Sequence, residues 1–472
     1  MMTVSELSEI IGGKIISGNK DLRISGFTID SRSANAGCCF VAIKGERHDG
    51  NDFIKEAFDK GAAVVLSEDK DVCFTLSDSQ IKGKNRAFVL TDNVYDSLRK
   101  TATLYRERYI ENVIAVTGSV GKTTVKELIY SVLSERIEVN KTEGNKNNLL
   151  GLPLTVLSGK MSKNAIFELG ISNFGEMSVL SSIAKPNVSL ITNIGNMHIE
   201  GLLSRENIAV EKLKITKGME SDGFLFINGD EPLLANAKTF VKNTVEVSEK
   251  NENASFFVYN VSLSANGTFF DLKRQGKKLY TKLFVPVLGR HGAFDAAFAV
   301  AVGDFFGCTE GEIRRGLKKY IPCGDRQRIE EIDGSFYLFD CYNAGPESFE
   351  AALNSLEITA AEKSIENIGV VAGSMLELGE ISKPEHIKLG EMIARLKPRF
   401  LITVGEEAFF IGKGAENFGL EREKIISFPN ENDIQSVAKA LENNVSGYSL
   451  VLIKGSRRMR LERLRSFLKK DV

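Results

Sequence analysis

The run Val113-Ile114-Ala115-Val116-Thr117-Gly118-Ser119-Val120-Gly121-Lys122-Thr123-Thr124 decides how this 472-residue chain is read. Its apolar start predicts a buried strand that breaks at a glycine-rich loop. Beyond the loop Val125, Leu128, Ile129, Val132 and Leu133 recur at i, i+3, i+4, i+7 and i+8, one face of an amphipathic helix. A strand feeding glycines into a helix N-terminus suits a polyphosphate, because the backbone N–H groups of Gly118, Ser119, Val120 and Gly121 can approach its oxygens. The helix dipole favours the anion, Lys122 adds a point charge, and a hydroxyl of Thr123 or Thr124 can ligate Mg²⁺. The standard pattern G-x-x-x-x-G-K-[ST] would place glycine where this chain has Val116. The loop is therefore a variant, and an ordinary strand-to-helix turn is the competing reading that its context outweighs.

Outward from the loop, Ala165-Ile166-Phe167 and Val188–Thr192 read as further buried strands, so a largely parallel sheet covered on both faces is expected. Glu168 closes the first of these. A carboxylate at a strand end beside a phosphate loop can serve a hard cation, though position alone leaves the role open. Thr192-Asn193-Ile194-Gly195-Asn196-Met197-His198 ends the second strand and carries one of four histidines. A solvated or capping histidine is an equal reading. Lys212 lies in the helical pattern Ile208–Ile215, where lysines ordinarily form a solvated face.

At roughly 150 residues per domain the length suggests about three domains. Residues 1–105 alternate short apolar runs with turns and read as a small α/β domain, 106–320 as the central phosphate-loop domain, and 321–472 as a third α/β domain. In the last, strands Phe336–Phe339, Ile368–Ala372, Phe400–Val404 and Leu450–Ile453 end in Asp340, Gly373-Ser374, Gly405 and Lys454-Gly455-Ser456-Arg457. Ligands collect outside the carboxyl ends of such strands, so a second nucleotide-facing surface is expected there.

Composition excludes several classes. Hydrophobic residues are 43% and charged residues 26%, and 61 basic against 62 acidic residues leave a net charge of −1. That gives no electrostatic footprint for nucleic acid or an anionic membrane. Cys38, Cys39, Cys73, Cys308, Cys323 and Cys341 form no CxxC pair, and cysteines and histidines together show no zinc spacing. With no signal-peptide pattern at Met1–Leu7 and no apolar run near 18 residues, a cytoplasmic setting without membrane insertion is expected. Oligomeric state is not legible.

Taken together, Thr117–Thr124, Gly144-Asn145-Lys146-Asn147-Asn148, Gly151-Leu152-Pro153-Leu154-Thr155, Glu168-Leu169-Gly170 and Thr192-Asn193-Ile194-Gly195 resemble the ATP-binding core of the Mur ligase family. Asp30-Ser31-Arg32 and Phe40–Gly50 resemble its uridine-nucleotide-binding domain. Asp340-Cys341-Tyr342-Asn343-Ala344, Met375-Leu376-Glu377-Leu378-Gly379-Glu380 and Lys454–Arg457 resemble its C-terminal Rossmann-like domain. The resemblance covers essentially the whole chain and implies a three-domain α/β ligase for peptidoglycan synthesis and cell-wall biogenesis, with the attendant links to cell shape and division.

Within the family, the Met375–Glu380 and Tyr-Asn-Ala runs resemble the branch that joins D-Ala-D-Ala to UDP-N-acetylmuramoyl-tripeptide, consuming ATP through an acyl phosphate. The resemblance implies that Lys122 clamps phosphate, that Thr123 and Glu168 ligate the Mg²⁺ on ATP, and that His198 ligates a second Mg²⁺. Lys212 matches a lysine that relatives carbamylate, which would turn a cation into a metal-binding carboxylate. Asp340, Tyr342 and Asn343 match nucleotide contacts of the C-terminal domain, and Arg326, or alternatively Arg328, its arginine near ATP. Ser31, Arg32, Lys44 and Gly45 match the UDP-substrate site.

No Ser-His-Asp or Cys-His arrangement is present, so positioning and electrostatics would carry the catalysis. Because the loop and Asp340 fall on different domains, ATP should be enclosed only when the C-terminal domain closes.

Three departures stand out: Asn-Ala-Asn-Pro reads Asn343-Ala344-Gly345-Pro346, Gly-Asp-Met reads Gly373-Ser374-Met375, and the adenine segment His-Asn-x-x-Asn reads His291-Gly292-Ala293-Phe294-Asp295. Loss of the amide at Gly292 bears on adenine binding. Gly345 and Ser374 would favour a different acceptor if they line its pocket. A nucleotide-binding paralogue without turnover is the third reading.

Overall fold

A computed structural model describes residues 2–72, 85–158, 161–275 and 278–469. Cys73 lies outside them. Among the described residues the strands form sheets of five, nine and six members and one two-stranded pair.

The expected strand Val113–Val116 is Asn112–Thr117, buried from Val113 onward, and it sits inside the nine-stranded sheet. Its parallel neighbours are Asn164–Glu168 on one side and Val188–Ile191 on the other. Both follow it in sequence, so their carboxyl ends bring Glu168 and Thr192 to the flanks of the loop. That is where a crevice opens in an open α/β sheet. Phe224–Asn228, Asn243–Ser248 and Phe256–Ser264 extend the parallel run. Gly267–Arg274 and Lys278–Val285 then close the edge antiparallel, an extension the sequence pattern did not reveal.

The helix predicted after the loop spans Lys122–Leu133 and buries Val125, Leu128, Ile129, Val132 and Leu133. These pack with the Ala- and Val-rich helix Arg290–Phe305 in one core. Complete burial of each such side chain stabilises by about 1.5–3 kcal/mol. Gly121 precedes the helix in the left-handed region (φ 83°) without a side-chain cap. The first N–H groups of the helix thus remain directed at the loop.

The opposite face of the central sheet shares its core with the N-terminal unit. Leu98, Ala102 and Tyr105 of helix Val94–Tyr109 pack in one cluster with Phe167 and Ile183. The five-stranded sheet of that unit is ordered Lys14–Gly18, Ala87–Leu90, Val64–Ser67, Cys39–Val41 and Phe27–Thr28.

In the C-terminal sheet the four expected strands are Ser335–Asp340, Asn367–Gly373, Phe400–Val404 and Ser449–Lys454, parallel and in the order first, fourth, second, third. Arg328–Ile332 and Ile425–Phe428 add the edges. The Glu-rich, half-exposed face of the former hides the strand from an apolarity reading.

Candidate active site

The glycine loop is held by the segment after the neighbouring strand. Asn193 Oδ1 accepts hydrogen bonds from the backbone N–H of Ser119 (3.1 Å) and Val120 (2.8 Å), while the Thr192 hydroxyl donates to the Val120 carbonyl at 2.6 Å. A Cβ on Gly118 would stand 1.9 Å from Thr192 Oγ1 and 3.2 Å from the Asn193 nitrogen. Only glycine lets the two segments meet.

Lys122 folds over this loop, donating to the carbonyls of Gly118 (2.7 Å) and Ser119 (3.1 Å). Lys212 is 1% exposed and donates to the same Gly118 carbonyl at 3.0 Å. It faces the loop, which overturns the solvated-face reading. Burial pulls the ammonium pKa of both lysines down, and the charge of Lys122 adds to the effect on Lys212, which lies well below its usual range. Two cations converging on one carbonyl make a place where an anion is welcome and where Lys212 is readily neutral.

Beside the loop, Thr123 donates its hydroxyl to Glu168 Oε2 at 2.9 Å, and the Asn147 amide donates to Glu168 Oε1 at 2.8 Å. Thr123 Oγ1 in turn accepts from Arg326 Nη2 at 2.9 Å. Hydroxyl, carboxylate and amide oxygens suit a hard cation. Among the described residues no group of three or more His, Cys, Asp or Glu side chains could hold a metal.

Arg326 comes from the C-terminal unit, with its guanidinium 3.5 Å from the ring centroid of Tyr342. Arg328 instead pairs with Glu330 at 3.1 Å on the edge strand. Asp340 forms a buried ion pair with Lys454 (2.6 Å), which also donates to the Asn343 carbonyl at 3.0 Å. Asn343 Oδ1 accepts from the Ala344 nitrogen at 2.8 Å. The C-terminal unit therefore reaches the start of the loop helix through Arg326, which lies over Tyr342.

Three more contacts bind the units. His198, in the left-handed region (φ 64°), has Nδ1 2.5 Å from Glu377 Oε2, and that contact holds the Glu377 carboxyl below its usual range. Glu347 Oε1 accepts from the Asn196 nitrogen at 2.8 Å. Met197 reaches Gly345, where a Cβ would stand 2.4 Å from its sulfur. His198 and Lys212 thus have different partners, Glu377 and the Gly118 carbonyl.

The departures gain physical reasons. Ser374 is buried and accepts from the Ala408 nitrogen at 3.0 Å, so it supports the local fold. A side chain at 292 would meet Val287 at 2.9 Å. Asp295 lies against the loop, 3.0 Å from where a Cβ of Gly121 would stand, and burial pushes its carboxyl up to about 8. Burial also pushes His291 down to about 4. At neutral pH Asp295 is mostly protonated and offers one donor and one acceptor, as the amide of asparagine does.

Ser31, Arg32, Lys44 and Gly45 lie on loops of the N-terminal unit. The Ser31 hydroxyl donates to Glu56 (2.6 Å), Arg32 pairs with Asp30 (2.8 Å), Lys44 stands 4.0 Å from Asp49, and the Gly45 nitrogen donates to the His48 carbonyl (2.9 Å). Among the described residues no hydrogen bond or ion pair joins these four to the phosphate loop. Sequence reasoning gave no role to Asn193, Asn147 or Lys454, although each stands in a motif it quoted. Glu347 carries no motif signal.

What fold and site define is a phosphate-loop protein of three α/β units in which the third unit reaches the loop of the second. The chain belongs to the Mur ligase family: residues 116–303 match the Mur ligase middle domain, 327–457 the Mur ligase glutamate ligase domain, and 23–102 the Mur ligase family catalytic domain. It is 35% identical over 470 residues to the UDP-N-acetylmuramoyl-tripeptide–D-alanyl-D-alanine ligase of Bacillus subtilis, covering 98% of this chain and 97% of that one. A MurF crystal structure from Acinetobacter baumannii superposes with a TM-score of 0.84 at 26% identity over 99% of both chains. MurF ligase from Thermotoga maritima in complex with ADP matches at 0.79 and 28%, over 95% of this chain and 98% of that one. Among the described residues no helix is long and apolar enough to cross a membrane.

Proposed function

We propose that this protein is an ATP-dependent, ADP-forming ligase that joins D-Ala-D-Ala to UDP-N-acetylmuramoyl-tripeptide, giving the pentapeptide precursor of peptidoglycan in the cytoplasm. The observation that carries this reading is the meeting of Arg326 from the C-terminal unit with Thr123 of the phosphate loop. The kinship with D-alanyl-D-alanine ligases over the whole chain gives it its substrates.

A carboxylate is a poor electrophile whose charge repels an incoming nucleophile. The terminal carboxylate of the tripeptide therefore attacks the γ-phosphorus of ATP, and the bond to ADP breaks. The amine of D-Ala-D-Ala, having lost a proton, attacks the acyl carbon of the resulting acyl phosphate, and phosphate leaves. Lys122, the loop N–H groups and Arg326 offset the negative charge that gathers during phosphoryl transfer. Thr123 and Glu168 would hold Mg²⁺, which when bound neutralises phosphate charge. Carbamylated Lys212 with His198 would hold a second ion, and burial supplies the neutral amine that carbamylation needs. Asp295, protonated, and His291, neutral, would lie toward the adenine, and Asp340, Tyr342 and Asn343 would close over the nucleotide from the third unit. Ser31, Arg32, Lys44 and Gly45 take the UDP end. We place the domain limits at 1–105, 106–320 and 321–472.

Tripeptide labelled with ¹⁸O in its terminal carboxylate tests the reading. One labelled oxygen should appear in the released phosphate; unlabelled phosphate alongside amide formation would exclude the acyl phosphate.

A further inference from the structure

Lys126 follows Lys122 by one helical turn and is fully buried, at 0% exposure. A buried ammonium is costly unless paired, and an apolar residue would fill the same space more cheaply. Its Nζ donates to the Thr142 carbonyl at 2.7 Å and lies 3.0 Å from Glu127 Oε1 and 3.7 Å from Glu168 Oε2.

Each partner belongs to a segment that carries part of the site. The Thr142 hydroxyl accepts from the Glu168 nitrogen at 3.1 Å. Asn147, five residues on, donates to Glu168 Oε1. Glu127 is shared with Lys141, whose ammonium stands 4.2 Å from the Tyr130 ring centroid. Two lysines and two glutamates thus balance in charge.

We infer that Lys126 is a positioning residue: it ties the loop helix, the Thr142 segment and the end of the Glu168 strand into one buried unit, so that the Glu168 carboxylate is held toward Thr123 for the cation on the nucleotide. The inference rests on the reading of Thr123 and Glu168 as that cation's ligands. Distances support the role. The ammonium spends its short contacts on Thr142 and Glu127 and stays 3.7 Å from Glu168, near enough to orient the carboxylate without using up its oxygen. Partners behind a metal ligand fix its orientation, and their loss typically weakens metal binding by about 10–100-fold.

The test measures Mn²⁺ binding to the protein·ADP complex, from the spin resonance signal of free Mn²⁺, alongside metal-free ADP binding and thermal unfolding. Lys126→Met should weaken Mn²⁺ binding by about 10-fold or more and leave metal-free ADP affinity unchanged, with Lys126→Arg recovering part of the loss. Should Lys126→Met not fold, Glu127→Gln decides, since it loosens the same ammonium and should weaken Mn²⁺ binding several-fold. Wild-type Mn²⁺ affinity in whichever variant decides, with Glu168→Gln impaired, would overturn the inference while leaving the ligand reading intact. Unimpaired Glu168→Gln would overturn the ligand reading and the inference with it.

Discussion

Arg326 donates to the Thr123 hydroxyl at 2.9 Å across 203 residues of sequence, with its guanidinium lying over Tyr342. One side chain of the C-terminal unit thereby touches the group that in turn donates to Glu168. Removing it should cost transition-state charge stabilisation, and losing one such donor typically lowers kcat by about 10²–10³. Arg326→Ala is expected to fall in that range in ATP turnover. Arg328→Ala should stay within about twofold, because Arg328 pairs with Glu330 on the edge strand while Arg326 is the arginine that meets Thr123. Equal losses would reverse the assignment.

The Gly118 contact makes a second case. A methyl group there would collide with Thr192 and with the backbone of Asn193, so the loop must move off the segment that braces it. We expect Gly118→Ala to lose most ADP affinity in calorimetry while its unfolding transition remains cooperative.

Asp295 gives a pH-dependent outcome. Burial pushes its carboxyl up to about 8 from a usual value of 3.8. Between those values the folded state keeps a proton that the unfolded state has lost, so stability falls as pH rises and levels off above about 8. Asp295→Asn removes this cost. The variant should gain in Tm relative to wild type as pH goes from 5 to 8.5, and should bind ATP with less pH dependence. Parallel Tm curves across that range would rule the account out.

Lys212 is buried and shares its carbonyl with Lys122, and burial with that neighbouring charge pulls its pKa well down, which favours the neutral amine that adds CO₂. Intact-protein mass spectrometry at neutral pH with bicarbonate should show one labile CO₂ adduct, absent from Lys212→Met. Activity of that variant should drop by about 10²-fold or more, in line with the loss of a group that places a catalytic cation. An adduct that persists in the variant would place the modification elsewhere.

Much of this was legible in the sequence because the loop is local: strand, glycines and helix face lie within Val113–Leu133, and short-range periodicity reports them directly. The four C-terminal strands were legible as apolar runs. What failed were features that tertiary packing decides. Lys212 reads as a surface lysine because its helix carries lysines and glutamates, yet the fold turns it onto Gly118. Lys126 sits between core positions with nothing local to mark it as buried. Glu347 and Glu377 meet Asn196 and His198 from another unit, at sequence separations that no periodicity encodes. The antiparallel edge strands Gly267–Arg274 and Lys278–Val285 carry too mixed an apolar pattern for periodicity to report them.

The most direct measurement is phosphate release by the purified protein with ATP, Mg²⁺ and UDP-N-acetylmuramoyl-tripeptide, with and without D-Ala-D-Ala. Release that requires the dipeptide, accompanied by a sugar nucleotide heavier by one D-Ala-D-Ala residue pair, is the predicted result. A folded protein that binds ATP and makes no such product would contradict the assignment of this chain as the D-Ala-D-Ala-adding ligase.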